Sequence, residues 1–189
     1  MKISILLPYK ENFSPMYPGA VSLFVKDTAN LSKYKKSIIV YGNTNYKKIF
    51  PIKYFNISLS SFKFQSKSKQ YVEKFINIEK DNPSDLIEVH NRPNYLSDIV
   101  KRLGKKNLVL YFHNDPLTMT GSKSINERKF LLKNCYKIIF NSNWSKKRFL
   151  ENMHDKFINS EKLLVIFQSA KRLAINTRQK KKEITFVGK

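Results

Sequence analysis

Hydrogen-bonding and titratable side chains follow several apolar runs of this chain, beyond the points where the runs end. In chain order the residues of interest are Gly19 and Ala20, then His90, Asn91 and Arg92, then His113, Asn114 and Asp115, and finally Ser142. Histidine can exchange a proton near neutral pH, and amides, hydroxyls and a guanidinium can bind the oxygens of a polar ligand. Two of the three histidines occupy equivalent positions directly after an apolar run. This clustering favours a binding or catalytic site.

These residues also have structural interpretations. His90 can simply bond neighbouring backbone, and Arg92 can be a solvated charge at a helix entry. His113, Asn114 and Asp115 can form an Asx-type turn, although a histidine, an amide and a carboxylate at one strand end are costly to leave unpaired. A zinc site built from the two histidines and Asp115 is conceivable, but the local ligand spacing typical of zinc is absent. The sequence contains no paired carboxylates, nucleophile elbow or Walker-type loop.

Six short apolar runs, rich in β-branched residues, predict the strands that would position these side chains. The runs cover residues 3–7, 37–41, 86–89, 108–112, 137–140 and 163–166. Stretches with helical spacing lie between most of them, which is the pattern of βαβ units. The predicted fold class is therefore α/β, a Rossmann-like open parallel sheet flanked by helices. Because ligands bind at the carboxyl edge of such a sheet, we expect the loops bearing Gly19, His90, His113 and Ser142 to open onto one concavity.

The intervening helices carry start and stop signals. Pro93 suits a first helical turn, and Gly104 stands where a C-terminal cap belongs. Ser124 followed by Glu127 predicts a capping box that opens a helix through residue 134, and Ser142 or its neighbour Asn143 is predicted to cap the next helix. The first crossover helix is predicted over residues 19–31, with these inward-facing positions: Val21, Phe24, Val25 and Leu31.

The domain organisation follows from changes in the character of the chain. Residues 1–167 form the predicted N-terminal domain, with an extra strand or two inside the long connection over 43–65. Residues 168–183 are polar and basic and predict an interdomain linker. Residues 184–189 predict the first strand of a second domain, at which the sequence stops.

The chain is strongly basic, with 36 Lys and Arg against 14 Asp and Glu and a formal net charge of +22. Such a balance suggests an anionic partner, which could be nucleic acid, an acidic membrane leaflet or a phosphorylated substrate. Abundant Lys, Asn, Ile and Phe together also fit the codon drift of an AT-biased genome. The single Cys135 rules out an internal disulfide and is predicted to be a buried structural thiol. The apolar start is too short for a membrane span, so we expect a cytoplasmic chain with at most peripheral membrane contact.

Five motifs occur in order along nearly the whole chain, with predicted strands between them. They cover residues 18–21 (PGAV), 85–93 (DLIEVHNRP), 111–116 (YFHNDP), 138–142 (IIFNS) and 186–189 (FVGK). Together they resemble the N-terminal, acceptor-side domain of family 4 glycosyltransferases with the GT-B fold. The likeness is to bacterial members acting on lipopolysaccharide or other surface glycans.

The resemblance implies a retaining transfer of a hexose from a nucleoside diphosphate sugar to an acceptor hydroxyl. His113 matches the family's histidine near the donor sugar and the reaction centre, which makes it the expected catalytic residue. The expected donor-binding residues are Gly19 and Ala20, in the loop that approaches the diphosphate, and Ser142 at the cleft floor. The expected acceptor-side residues are His90, Asn91, Arg92, Asn114 and Asp115. No metal and no cofactor are implied, because the nucleoside diphosphate sugar is a substrate.

The partners implied are a nucleotide sugar and a glycolipid or saccharide acceptor, with an anionic membrane surface as a further contact and no nucleic acid. The family's basic residues for the diphosphate and its carboxylate pair for the sugar nucleotide lie beyond residue 189. We therefore expect these 189 residues alone to lack transferase activity. Two other classes stay open: a nucleic-acid-binding domain that uses the basic surface, and a small-molecule binding module without catalysis.

Overall fold

The computed structural model describes residues 1–60, 65–104 and 107–168, and in these residues seven parallel strands are flanked by five α-helices. The strands are β1 (Ile3–Leu6), β2 (Ile38–Gly42), β3 (Tyr54–Asn56), β4 (Leu86–His90), β5 (Leu108–Phe112), β6 (Lys137–Phe140) and β7 (Leu163–Val165). The helices are α1 (Ala20–Leu31), α2 (Lys67–Asp81), α3 (Tyr95–Leu103), α4 (Ile125–Asn134) and α5 (Asn143–Leu150). The strand order is β3-β2-β1-β4-β5-β6-β7.

The predicted α/β class with an open parallel sheet is confirmed. All six predicted strands are present, and β3 is the extra strand expected within the connection over 43–65. The register aligns His90 with Tyr111, and Phe112 with Phe140. Because every pairing is parallel, the carboxyl ends of the strands meet at one edge of the sheet.

The two faces of the sheet are covered differently. One face packs against α2, α3, α4 and α5 and holds the larger core, in which Phe112 stacks on Phe140 with ring centroids 5.5 Å apart. The other face packs against α1, through Val21 and Val25 on Val40 and its neighbours. Parallel strands buried on both faces explain why these runs are continuously apolar in sequence.

Most of the predicted helix signals are confirmed. Ser124 and Glu127 form a reciprocal capping box at α4, the Ser142 side chain caps α5, and Gly104 ends α3 with φ +72°. The inward position of Leu31 is wrong, because its side chain is 85% exposed. At about 100° per residue, Leu31 lies about 200° around the helix from the buried Ala29, on the solvent side. Helix α2 was not expected from the sequence.

Cys135 is 1% exposed, and burial raises the pKa of its thiol to about 12, which confirms a buried and unreactive cysteine. Apart from Gln168, the predicted linker over 168–183 and the predicted strand over 184–189 lie outside the described residues. Among the helices that the structure describes, none combines the length and the apolar character needed to cross a membrane.

Candidate functional site

The loops that follow β4, β5 and β6 are tied together around the backbone of His113. Asn91, held at φ +54°, donates its backbone N–H to the carbonyl of Tyr111 at 2.8 Å. Its side-chain oxygen accepts from the backbone N–H of His113 at 3.2 Å. On the other side, the amide nitrogen of Asn141 donates to the carbonyl of His113 at 2.8 Å. Two amide side chains therefore fix the position of His113 at the carboxyl edge.

The ring of His113 belongs to an aromatic stack on the α1 face of the sheet. The Tyr111 ring centroid lies 5.3 Å from that of His90 and 4.8 Å from that of His113, with interplanar angles of 7° and 16°, and the two histidine centroids lie 5.2 Å apart. Phe24 of α1 meets the His113 ring edge-on at 5.0 Å. Burial, and to a smaller extent the neighbouring His90, lowers the pKa of the His113 imidazole to about 3. His113 is therefore uncharged at neutral pH.

Four side chains are linked in series by hydrogen bonds, and we call them the histidine chain. They are Glu88, His90, His113 and Gln168. The Glu88 carboxylate contacts Nε2 of His90. Nδ1 of His90 lies 2.9 Å from Nε2 of His113, whose Nδ1 lies 2.6 Å from the side-chain nitrogen of Gln168. His90 has no exposed surface, so it cannot itself contact a bound ligand in this arrangement.

A pocket of about 330 Å³ opens between the loops that follow β4 and β5. It is lined by three residues of the predicted acceptor side, Asn91, Arg92 and Asn114, together with Asn94 and Thr120 among others. Amides, a guanidinium and a hydroxyl can satisfy both the donors and the acceptors of a polar, hydroxyl-rich ligand. This pocket is therefore a candidate binding site for such a ligand.

Asp115 does not join that pocket. Its carboxylate accepts from the backbone N–H of Leu117 at 3.0 Å, which caps a short 3₁₀ turn over Pro116–Thr118, and it pairs with Arg148 of α5 at 3.2 Å. The turn-forming interpretation accounts for the contact with Leu117, and the ion pair with Arg148 is an additional tertiary contact. The Asp115 carboxylate is thus engaged elsewhere and does not join the two histidines in a zinc site. Within residues 1–60, 65–104 and 107–168, no group of three metal-binding side chains is positioned around a possible ion.

Gly19 stands at the N-terminus of α1, where the predicted diphosphate contact would lie. The carboxylate of Glu11 accepts from the backbone N–H of Ser22 at 2.9 Å and so already supplies an anion to this helix end. A Cβ atom on Gly19 would lie 1.8 Å from the same carboxylate, so a larger residue there would displace the Glu11 side chain. Ala20 begins the helix and is exposed. The donor-binding role of both residues stays a prediction.

Ser142 uses its side chain to cap α5, accepting from the backbone N–H of Ser145 at 3.1 Å. It adjoins Asn141, which holds His113, so the loops bearing His90, His113 and Ser142 are joined at one edge of the sheet. That these loops and the loop bearing Gly19 open onto one concavity stays a prediction. Gly19 follows β1 at the same edge. Glu88 was not among the site residues predicted from the sequence. It could have been recognised because it lies two residues before His90, and residues two apart share one face of a strand.

Solved glycosyltransferase structures share this fold. HepE (Alr3699) of Anabaena in complex with UDP-glucose superposes with a TM-score of 0.56 and 18% identity, over 87% of this chain and 43% of its own. The UDP complex of the same protein gives a TM-score of 0.55, 18% identity and coverage of 88% and 44%. A glycosyltransferase from Rickettsia africae ESF-5 gives a TM-score of 0.56, 15% identity and coverage of 88% and 43%.

These similarities establish the fold, and the chain spans less than half the length of the structures it matches. No protein-family model matches the sequence. A search of curated proteins also gives no match.

Proposed function

We propose that these residues form the acceptor-side half of a glycosyltransferase that moves a hexose from a nucleoside diphosphate sugar to a lipid-linked or saccharide acceptor. The observation that carries the proposal is the polar pocket lined by Asn91, Arg92 and Asn114, at the carboxyl edge of a fold shared with glycosyltransferases. One of those structures contains UDP-glucose. A retaining mechanism, membership of family 4 and a role in lipopolysaccharide or surface-glycan synthesis complete the proposal, on the strength of the five sequence motifs.

The chemistry assigns a limited share of the work to this half. Breaking the bond between sugar and phosphate builds positive charge on the sugar and negative charge on the leaving diphosphate, which preorganised cations must stabilise. The neutral His113 cannot provide that charge. The pocket side chains Asn91, Arg92 and Asn114 suit an acceptor hydroxyl instead. Under this proposal the described half positions the acceptor, and a second half supplies the contacts to the diphosphate.

The 189-residue chain is expected to bind simple saccharides at the pocket and to show no affinity for UDP. Asn114→Ala should weaken saccharide binding about two- to tenfold, because one hydrogen bond of about 0.5–1.5 kcal/mol is lost. Saturation-transfer NMR with methyl glucosides, methyl galactosides and, separately, UDP measures both properties. Asn82→Ala is the matched control, because Asn82 is exposed and lies at the opposite, amino edge of the sheet. Its saccharide affinity should be unchanged.

Other outcomes of this experiment identify other functions. Steeply salt-dependent binding of RNA or DNA, without saccharide binding, would replace the proposal with a nucleic-acid-binding domain. Saccharide binding that survives Asn114→Ala would move the acceptor site away from the pocket. Saccharide binding combined with no transfer, even after the reading frame is extended past residue 189, would leave a binding module without catalysis.

A lipid-linked acceptor predicts that the basic surface contacts an anionic bilayer. With a net charge of +22, the chain should float with vesicles containing phosphatidylglycerol and not with pure phosphatidylcholine vesicles. Each lysine or arginine close to the surface contributes about 1 kcal/mol, and salt screens this attraction. Liposome flotation at low and high salt is the measurement. Equal flotation with neutral and anionic vesicles would contradict the membrane contact.

A further inference from the structure

The histidine chain runs from a strand-borne carboxylate to an exposed amide, so its hydrogen-bond direction can be derived from either end. Glu88 and His90 lie on β4, His113 follows β5, and Gln168 follows β7. Each imidazole uses both of its nitrogens within the chain. A neutral imidazole has one donor and one acceptor nitrogen, so fixing either end fixes every proton between.

We propose that Glu88 and His90 are positioning residues that hold His113 in the neutral Nε2–H tautomer and thereby present its Nδ1 as a hydrogen-bond acceptor at the carboxyl edge. The proposal deepens the proposed function, on which it rests for the identity of the ligand. It specifies that His113 recognises a hydroxyl group of the sugar or acceptor and does not bind the diphosphate.

The carboxylate end gives the first derivation. An ionised carboxylate can only accept, so Nε2 of His90 must donate to Glu88. If the His90 ring is neutral, its Nδ1 is then the acceptor nitrogen, and at 2.9 Å it takes its hydrogen from Nε2 of His113. That proton assignment leaves Nδ1 of His113 without a hydrogen and able to accept.

The orientation of the Gln168 amide agrees with this assignment. The side-chain nitrogen of Gln168 lies 2.6 Å from Nδ1 of His113, and an amide nitrogen is a donor. Nδ1 must therefore accept, as the carboxylate end also requires. Gln168 is exposed, so a ligand hydroxyl could take its place as the donor.

The alternative is a charged His113, and its surroundings oppose it. The ring is faced by His90 from β4, with Glu88 behind it, by Tyr111 from β5, by Phe24 from α1 and by Gln168 after β7. The Glu88 carboxylate contacts His90 and does not reach His113 in this arrangement. Burial lowers the pKa of His113 far below neutrality.

The tautomer decides what can bind. A sugar hydroxyl can donate to Nδ1 and replace the hydrogen bond from Gln168. An ionised diphosphate has no hydrogen to donate, so its oxygens would face a lone pair and be repelled. His113 thus distinguishes the hydroxyl-bearing part of the substrates from the phosphate part.

The test is the tautomeric state of His113 in the 189-residue chain, read from long-range ¹H–¹⁵N correlations of ¹⁵N-histidine-labelled protein. The expected spectrum shows Nε2 of His113 protonated, Nδ1 unprotonated, and no titration of His113 between about pH 8 and pH 5, since its pKa lies near 3. Glu88→Gln should shift the tautomer ratio of His113 about five- to tenfold towards Nδ1–H, because a glutamine can donate as well as accept and the charge-assisted bond is lost. Tyr111→Phe keeps the stack and is the matched control, with an unchanged ratio.

A protonated Nδ1 or a charged ring in the unmodified protein would overturn the proposal. An unchanged tautomer ratio in folded Glu88→Gln would do the same. Should Glu88→Gln fail to fold, Gln168→Ala at the exposed end provides the second measurement. The Nε2–H tautomer must persist in Gln168→Ala, since Glu88 still fixes the direction, and its reversal would sink the idea. The readout needs no ligand, so failure of saccharide binding leaves it interpretable.

Discussion

Glu79→Ala is expected to lower the free energy of unfolding by about 3–5 kcal/mol, because removing this buried carboxylate leaves several hydrogen-bond donors without an acceptor. Glu79 is 1% exposed on α2. Its carboxylate accepts from Ser4 Oγ of β1 at 2.6 Å, and from the backbone N–H and Oγ of Ser84, just before β4, at 3.0 and 2.6 Å. The carboxylate joins a helix to two adjacent strands. Urea denaturation of the 189-residue chain measures the loss.

Glu73→Ala on the same helix is the matched control. Its carboxylate is partly exposed and reaches Arg102 at 4.0 Å, so the expected cost is below about 1 kcal/mol. Glu79→Gln should lose less than Glu79→Ala, because the amide oxygen can still accept from the N–H of Ser84. Equal losses for Glu73→Ala and Glu79→Ala would show that the buried hydrogen bonds of Glu79 contribute little.

Elements with local signals were predictable from the sequence. The strands are continuous apolar runs, and the ends of α3 and α4 are marked by Gly104 and by the Ser124 and Glu127 pair. These features depend on residues within a few positions of one another, so a single sequence contains all of the information. The predicted inward position of Leu31 was wrong, because an apolar residue type does not show on which side of α1 the residue lies.

The partners of polar residues were not predictable, because they are far apart in sequence. Glu79 resembles any solvated helix charge until the fold brings Ser4, 75 residues away, onto it. Asp115 meets Arg148 across 33 residues in the same manner. The rule that ligands bind at the carboxyl edge of a parallel sheet identified His90 and His113. The rule could not show that His90 is fully buried and contacts His113.

The predicted acceptor side is divided by the structure into distinct roles. Asn91, Arg92 and Asn114 line the pocket, whereas Asp115 anchors a turn and His90 contacts His113. A sequence motif shows that such residues are adjacent along the chain, but the direction of each side chain depends on backbone angles such as the φ of +54° at Asn91. The division therefore requires coordinates.

Gly121→Ala is expected to destabilise the protein by about 2–4 kcal/mol, the combined cost of a left-handed backbone and an overpacked contact. Gly121 has φ +95°, and a Cβ atom there would lie 2.5 Å from the backbone nitrogen and 2.7 Å from the Cα of Asn94. These are backbone atoms, so the clash cannot be relieved by rotating a side chain. Thermal or urea unfolding of the chain measures the effect.

Gly104→Ala separates the two causes. Gly104 also has a positive φ, of +72°, but a Cβ atom added there would meet nothing within 4 Å among the described residues beyond its own chain neighbours. Its expected cost is about 1–3 kcal/mol, from backbone strain alone, because φ +72° with ψ −160° is a conformation that other residues rarely adopt. The excess in Gly121→Ala then measures how tightly the loops after β4 and β5 approach each other.

Asn94 and Thr120 line the pocket of about 330 Å³, so the same clash should widen it. Saccharide binding should therefore fall in folded Gly121→Ala and not in Gly104→Ala. If both folded variants bind saccharides equally well, the contact between these loops does not determine the shape of the pocket.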